Sequence, residues 1–581
     1  MPAIRVLPVP SPPAQEPFEE ATTASRLGAW LFQARSARGV AIGLSLYLLV
    51  FANWPLWHEL ARIGGGAPSV YLPSILMMGA LVFCANLGVL MLFAWPRTIK
   101  PAALVVLTAA AVAQHFMLSY RVVMDPTMLA NAVQTDAHEV MDLLNWQLFF
   151  NLLAVLLPAA WWLRRVRITP MRPLAQVLRN LGMLLATAAL AALVVVGANH
   201  RLAPLMRNHV GLRYMMNPVA SLYSGVKVWA APLLTHRRKL IKVSGGATLG
   251  AGYAAQTKPP LFLLVVGETA RADHFSLNGY TRDTTPELAA RGVINWRNAR
   301  SCGTSTLASV PCMFSPLGKA AFESRHDDYE NLMDVLQAAG LAVFWLDNQP
   351  GGCKGVCDRI PHASSFANLD AATRKKFCDG DECRDDVLLQ GLDARIAALP
   401  AERRAKGLVL VMHQMGSHGP AYYKRSASES KRFLPECTNN ALADCSHGEL
   451  VNAYDNSIVA TDHFLGRSID WLKGRQAEYD TAMLYMSDHG ESLGEYGLFL
   501  HGVPYSFAPE VQKHVPWVMW LSDGMRAREK LAANCLGTQR DEAISHDNLY
   551  HTALGLMDVK TPTYHASMDV LSACRRGSSD L

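Results

Sequence analysis

Near the end of the chain, "MSDHGESLGEYGLFLHG" sets a carboxylate beside an imidazole at Asp488 and His489, and a second imidazole follows at His501. A glutamate, Glu268, closes the apolar run "LFLLVVGE", and His413 and His418 bracket "HQMGSH". Carboxylate and imidazole donors together suit a divalent ion of borderline softness, zinc before others, and the expected ligands are Glu268, Asp488 and His489. Such a site needs a nucleophile to do covalent chemistry. "ARSCGTSTLASVPCMFS" offers Thr304, Ser305 and Thr306 just ahead of an apolar helical stretch. If a helix starts near Ser305, its free N–H groups and positive dipole end favour an anion there. A hydroxyl bound to zinc in that position would have its pKa lowered and could attack phosphorus. Residue types alone leave the three hydroxyls undecided, and the plainer role of Ser or Thr at that point is a helix N-cap.

These residues fall at the ends of short apolar runs. "LFLLVVG" (261–267), "LAVFWLD" (341–347), "GLVLVMH" (407–413) and "TAMLYMS" (481–487) read as buried strands separated by helical segments, the pattern of an α/β domain with a mostly parallel sheet. Glu268 follows the first, Asn348 and Lys354 the second, His413 and His418 the third, Asp488 and His489 the fourth. Ligand sites of open parallel sheets form outside the carboxyl ends of strands, so four separate segments converge on one edge.

The first two hundred residues have a different composition. Five stretches, 40–55, 72–95, 102–119, 147–163 and 181–198, are apolar over a length that can cross about 30 Å of hydrocarbon, or nearly so. Arg26, Arg35, Arg38, Arg97, Lys100, Arg164, Arg165, Arg167, Arg172 and Arg179 all lie on one side of these spans, with only Arg62 and Arg121 in the alternate loops. The positive-inside rule then puts the N-terminus in the cytoplasm and exports everything after the fifth span. The spans hold almost no ionisable residues, which disfavours a transport pathway. The expected organisation is a disordered tail over 1–39, a five-span domain over 40–200, bridging helices and a Gly/Ala-rich linker over 201–258, and an exported catalytic domain over 259–581. A formal charge of +6 without a basic stripe or recognition-helix pattern excludes nucleic acid as the expected partner.

Cysteine usage agrees with export. Of eleven cysteines, Cys84 sits in a span and ten follow residue 300. They are expected as disulfides, taken in order: Cys302 with Cys312, Cys353 with Cys357, Cys378 with Cys383, Cys437 with Cys445, and Cys535 with Cys574.

"VVGETARADHFSLNGY", "SCGTSTLASVPCMFS", "DNQPGGCKGVCDR", "HQMGSHGPAYYKR", "NAYDNSIVATD" and "SDHGESLGEYGLFLHGVPY", in that order, resemble the lipid A phosphoethanolamine transferases associated with polymyxin resistance. The resemblance implies five membrane helices followed by a periplasmic alkaline-phosphatase-like domain, working as a monomer in the inner membrane. It makes Thr306 the nucleophile and a zinc ligand with Glu268, Asp488 and His489. His418 and His501 match residues that hold the substrate phosphate or a second metal, and both are candidates for the general acid. Lys354 and His413 fall in the same pocket by analogy. Asn131, Thr135 and Glu139, spaced i, i+4 and i+8 in "DPTMLANAVQTDAHEV", resemble positions for the ethanolamine head group. The implied reaction moves phosphoethanolamine from phosphatidylethanolamine to a lipid A phosphate through a covalent threonine ester.

Overall fold

The computed structural model describes residues 34–575 apart from 65–67, 135–142, 235–237 and the single positions 350, 368, 381 and 533. The expected tail over 1–39 therefore lies outside the described residues up to position 33, while Ala37 already begins a helix whose first turn is capped by Ser36, the Oγ accepting from the Gly39 N–H. The N-terminal half comprises α1 (Ala37–Phe51), α2 (Trp54–Ile63), α3 (Pro68–Leu92), α4 (Ile99–Ser119), α5 (Pro126–Gln134), α6 (Trp146–Arg165), α7 (Pro173–Gly197), α8 (Asn199–Asn208) and α9 (Val219–Leu234). Helices α3, α4, α6 and α7 are each long and apolar enough to cross a membrane, and α1 and α2 together form a fifth element bent by 49°.

That bend corrects the continuous span expected over 40–55. Pro55, in the first turn of α2, has no N–H to give a preceding carbonyl, and the chain breaks at Ala52 and Asn53. Freed backbone groups in an apolar surrounding must find partners within the protein. Asn53 and Asn217, buried and 164 residues apart, supply them. The Asn53 amide donates to the Leu48 and Asn217 carbonyls at 2.9 and 2.8 Å, and the Asn217 amide donates to those of Ala52 and Ala110 at 2.8 and 2.7 Å. The Asn217 N–H returns to Asn53 Oδ1 at 2.8 Å.

Helix α9 lies in the stretch expected to hold bridging helices. It packs on α5, α3 and α4, and Ser224 donates its hydroxyl to the Met124 carbonyl at 2.8 Å. The Gly/Ala-rich stretch expected as a linker is laid along the C-terminal half. Leu240–Ile241 pairs in parallel with Asp328–Tyr329, and Thr248–Leu249 pairs antiparallel with Val559–Lys560.

The C-terminal half is built on eight strands: β1 (Pro260–Gly267), β2 (Ile294–Arg300), β3 (Ala342–Asp347), β4 (His362–Ser364), β5 (Leu408–His413), β6 (Asp480–Ser487), β7 (His514–Leu521) and β8 (Ala543–Ser545). They lie in the order β8-β2-β7-β6-β1-β5-β3-β4, and only β7 runs against the others. Because layers cover both faces, the central strands are apolar on both faces along their middle positions. Phe262, Leu264 and Val266 of β1 enter one core, and Leu261, Leu263 and Val265 the other. Each such side chain stabilises the fold by about 1.5–3 kcal/mol. Aligned parallel registers bring the ends of β1, β5, β3 and β6 to one edge, with Gly267 beside Ser487, and Val266 beside His413.

Candidate active site

Glu268 leaves β1 into a backbone turn in which Thr269 takes φ 53°, a left-handed conformation that strains a β-branched residue. Surrounding contacts hold that turn. The Thr269 N–H donates to Asp488 Oδ1 at 3.3 Å, and the Tyr454 hydroxyl donates to the Thr269 carbonyl at 2.7 Å while accepting from the Arg271 N–H at 2.9 Å. Tyr454 belongs to α11, which we define as His447–Lys473, a helix opened by a reciprocal Ser446–Glu449 cap. Asp455, the next residue, gathers Tyr280, Arg282 and His274 at 2.9, 2.8 and 2.6 Å. The "NAYDNSIVATD" motif therefore acts as a clamp on the loop that carries Glu268. Gly416, also at positive φ, passes so close that a Cβ there would sit 2.6 Å from the Glu268 carbonyl oxygen.

Glu268, Asp488 and His489 are fully buried, and their ligand atoms lie within 4.8 Å of one another. The His489 Nδ1–H donates to the Gly490 carbonyl at 2.9 Å, which leaves Nε2 as the ring's lone-pair nitrogen, 3.2 Å from Glu268 Oε1 and 3.4 Å from Asp488 Oδ2. Each of these three facing atoms is buried without a hydrogen-bond partner. Burial opposes ionisation of Glu268, but His489 in its protonated form, with His418 and His501 behind it, outweighs burial and holds this carboxyl well below the usual range; a cation on the Nε2 lone pair would stand in for that proton. Burial and then the Glu268 charge push Asp488 upward. A cation between the three atoms would relieve both the repulsion and the unmet hydrogen-bonding capacity. One nitrogen and two carboxylate oxygens fit zinc, and no thiolate competes, since the structure joins all ten cysteines beyond residue 300 in the five expected disulfides and Cys84 is buried in α3.

The three hydroxyls at the start of α10 (Thr306–Met313) face different partners. Thr304 donates to the Val503 carbonyl at 2.6 Å. Ser305 occupies the N-cap position with no capping hydrogen bond, its hydroxyl lying instead 3.3 Å from Asn131 Oδ1 on α5. Thr306 faces the carboxylate and imidazole cluster: its hydroxyl donates to Glu268 Oε2 at 3.0 Å. The Cys302–Cys312 bridge encloses this segment.

His418 and His501 complete a second grouping with Glu268. Their rings lie 5.5 Å apart, and the His501 ring is 4.4 Å from that of His489. His413 is fully buried with Nδ1 3.2 Å from Asp347 Oδ1, so it supports the edge of the sheet from below. Lys354, at φ 50° inside the Cys353–Cys357 loop, lines a cavity beside Leu307 and Ala308 of α10. Thr135 and Glu139 lie outside the described residues.

Three residues at the site were not singled out from the sequence. Gln349 donates its amide to Glu268 Oε2 at 2.8 Å, and its place two residues past the end of β3 was the available signal. Glu491, fully buried, lies 3.3 Å from His501 Nδ1. His546 accepts from the Cys302 N–H at 3.0 Å and donates to the Ser487 carbonyl at 2.9 Å, tying the nucleophile loop to the strand end that presents Asp488. Burial pushes its pKa down to about 3, so it is neutral.

The comparisons match this arrangement from end to end. A sulfatase family model matches residues 260–559, and a model described as phosphoethanolamine transferase EptA/EptB matches residues 82–233. The phosphoethanolamine transferase EptA of Escherichia coli strain K12 is 38% identical over 82% of this chain and 86% of its own length. The chain belongs to the EptA and Mcr type of phosphoethanolamine transferase. The phosphatidylethanolamine transferase Mcr-1 of Escherichia coli is 37% identical over 91% of the chain and 96% of its own. The structure of the integral membrane lipooligosaccharide phosphoethanolamine transferase A from Neisseria meningitidis superposes with a TM-score of 0.85 at 31% identity, covering 93% of this chain and 99% of that one. A phosphoethanolamine transferase thus has a hydroxyl, a carboxylate and imidazole cluster and two further imidazoles at one sheet edge, with the short helix α5, which follows α4, reaching the same loop.

Proposed function

We propose that this phosphoethanolamine transferase takes the group from phosphatidylethanolamine and places it on a phosphate of lipid A, through a covalent ester on Thr306. The observation that carries this reading is the Thr306 hydroxyl, directed at Glu268 beside three buried ligand atoms that have no partner. Glu268, Asp488 and His489 would hold zinc, with Thr306 completing the set. The ion, when bound, lowers the pKa of the hydroxyl and neutralises charge on the phosphoryl oxygens.

Thr306 Oγ1 forms the new bond to phosphorus as its proton passes along the existing hydrogen bond toward Glu268. The bond from phosphorus to the diacylglycerol oxygen breaks, and His418 or His501 supplies the proton that oxygen takes up. In the second half, a lipid A phosphate oxygen attacks the same phosphorus, the bond to Thr306 Oγ1 breaks, Thr306 takes back the proton from Glu268, and the proton released by the acceptor phosphate restores the imidazole that protonated diacylglycerol. Asn131, which reaches the nucleophile loop from α5, together with Thr135 and Glu139 receives the ethanolamine end, and Lys354 and His413 stand around the phosphate. The spans anchor the chain as a monomer in the inner membrane with its N-terminus in the cytoplasm, its catalytic domain in the periplasm, and both lipid substrates within reach. The added ammonium lowers the surface's attraction for polymyxin and other cationic peptides.

The test is a mass spectrum of lipid A from cells expressing the wild-type chain or Thr306→Ala at matched membrane levels. The expected outcome is a phosphoethanolamine increment with wild type alone. An equal increment from Thr306→Ala would sink the covalent mechanism, and a soluble phosphodiester without labelled lipid would favour a hydrolase.

A further inference from the structure

Beside the nucleophile helix lies a cavity of about 920 Å³, larger than a phosphoethanolamine head group needs, with Ala130 of α5 on one wall and Leu307 and Ala308 of α10 on another. Its charged lining is Arg238, Arg325, Lys354 and Arg359 against Asp328 and Asp358, an excess of two positive charges. Arg359 is neutralised from behind by Asp334 at 2.6 Å, which leaves Arg238, Arg325 and Lys354 against Asp328 and Asp358, a net excess of one. Arg238 and Arg325 share a single carboxylate oxygen, Asp328 Oδ1, at 3.3 and 3.6 Å. Lys354 has no ion-pair partner among the described residues. Arg238 comes from the basic stretch "THRRKLIKV", which the catalytic chemistry leaves without a role. The pairing of Leu240–Ile241 with Asp328–Tyr329 is what delivers it to the cavity.

An under-compensated basic cavity selects an anion and rejects a cation. The donor is zwitterionic, and its ammonium would meet the excess positive charge, whereas a phosphorylated saccharide has phosphates and no ammonium before it is modified. We infer that this cavity seats the acceptor's phosphorylated sugar head group, with Arg238 and Arg325 holding a phosphate other than the one that reacts. Guanidinium pairs suit this, since each offers a planar fork to phosphate oxygens. The inference rests on the acceptor reading above and adds where that acceptor binds.

The experiment uses the full chain in vesicles of phosphatidylethanolamine with graded lipid A, recording diacylglycerol release without acceptor and transfer with it. Arg238→Gln combined with Arg325→Gln should leave diacylglycerol release at the wild-type rate and raise the KM for lipid A by roughly tenfold. Asp328→Asn removes the shared counter-charge and should lower that KM by roughly threefold, a gain that a folding defect does not produce. An unchanged KM in both variants, or a parallel fall in diacylglycerol release and transfer, would overturn the inference. Wild-type enzyme that releases diacylglycerol but never labels lipid A would instead overturn the acceptor reading on which it rests.

Discussion

The membrane half and the catalytic half each bury a knot of polar groups, and they treat them in opposite ways. At the α1–α2 break, Asn53 and Asn217 spend their amides on backbone carbonyls and on each other, and one side-chain atom of the pair, Asn217 Oδ1, is without a partner. At the sheet edge, Glu268 Oε1, Asp488 Oδ2 and His489 Nε2 are all left facing one another. An unmet buried polar atom costs about 1–3 kcal/mol, more for a charged group. A knot that closes on itself is architecture, and one held open at this cost fits the cation seat of the proposed reading.

The largest effect should come from emptying or spoiling that seat. Chelation, or Asp488→Asn, is expected to reduce transfer more than about a hundredfold. Zinc added back to the chelated wild type should restore activity and raise the unfolding temperature of the catalytic half, by about 2.7 kcal/mol of stabilisation at a hundredfold excess over Kd. Indifference of that temperature to zinc would erase the contrast between the two knots.

A smaller effect is expected from Asn217→Ala. It leaves the Ala52 carbonyl unmet, removes the second donor from that of Ala110, and should lower the stability of the membrane half by about 1–3 kcal/mol. Zinc content and the melting of the catalytic half should stay at wild-type values, read by metal analysis and calorimetry on the same sample.

The smallest concerns His546, a closed polar knot inside the catalytic half. Its folded pKa of about 3 lies below the ordinary value of 6.5, so the unfolded chain binds the extra proton between those limits. Its contribution to stability is therefore full above pH 6.5 and is lost as pH falls below it, by about 1.4 kcal/mol per pH unit. His546→Asn should flatten the fall in stability between pH 6.5 and pH 4 relative to wild type. Denaturant melts at several pH values check this, and parallel slopes would contradict it.

The sheet was legible because parallel strands buried on both faces read as unbroken apolar runs. The four expected strands match the observed β1, β3, β5 and β6 to within a residue or two at either end. Glu268, Asp488 and His489 were legible for the same reason, since the strand ends fix their place. Residue types alone did not separate Thr306 from its neighbours and the motif resemblance picked it; which hydroxyl faces Glu268 turns on how the first turn of α10 is rotated, and that leaves no mark in residue type. His546 was hidden because its partners, Cys302 and Ser487, are 244 and 59 residues away and both are backbone groups, which leave no pattern in side-chain identity. The broken first span did carry a signal, the Asn53–Trp54–Pro55 sequence, which hydropathy averages over.

The strip that carries His501 is gripped on its outer side by the membrane half. The Phe499 N–H donates to the Tyr120 carbonyl at 3.2 Å, and Met128 and Asn131 pack against Gly502, whose own N–H donates to the Thr304 carbonyl at 2.7 Å. The catalytic head is thereby held at a set height above the leaflet, and it meets its lipids in two dimensions. For such an enzyme the governing concentration is mole fraction within the bilayer. Thinning the donor with inert lipid slows it, while diluting the vesicles in buffer leaves each enzyme's turnover as it was.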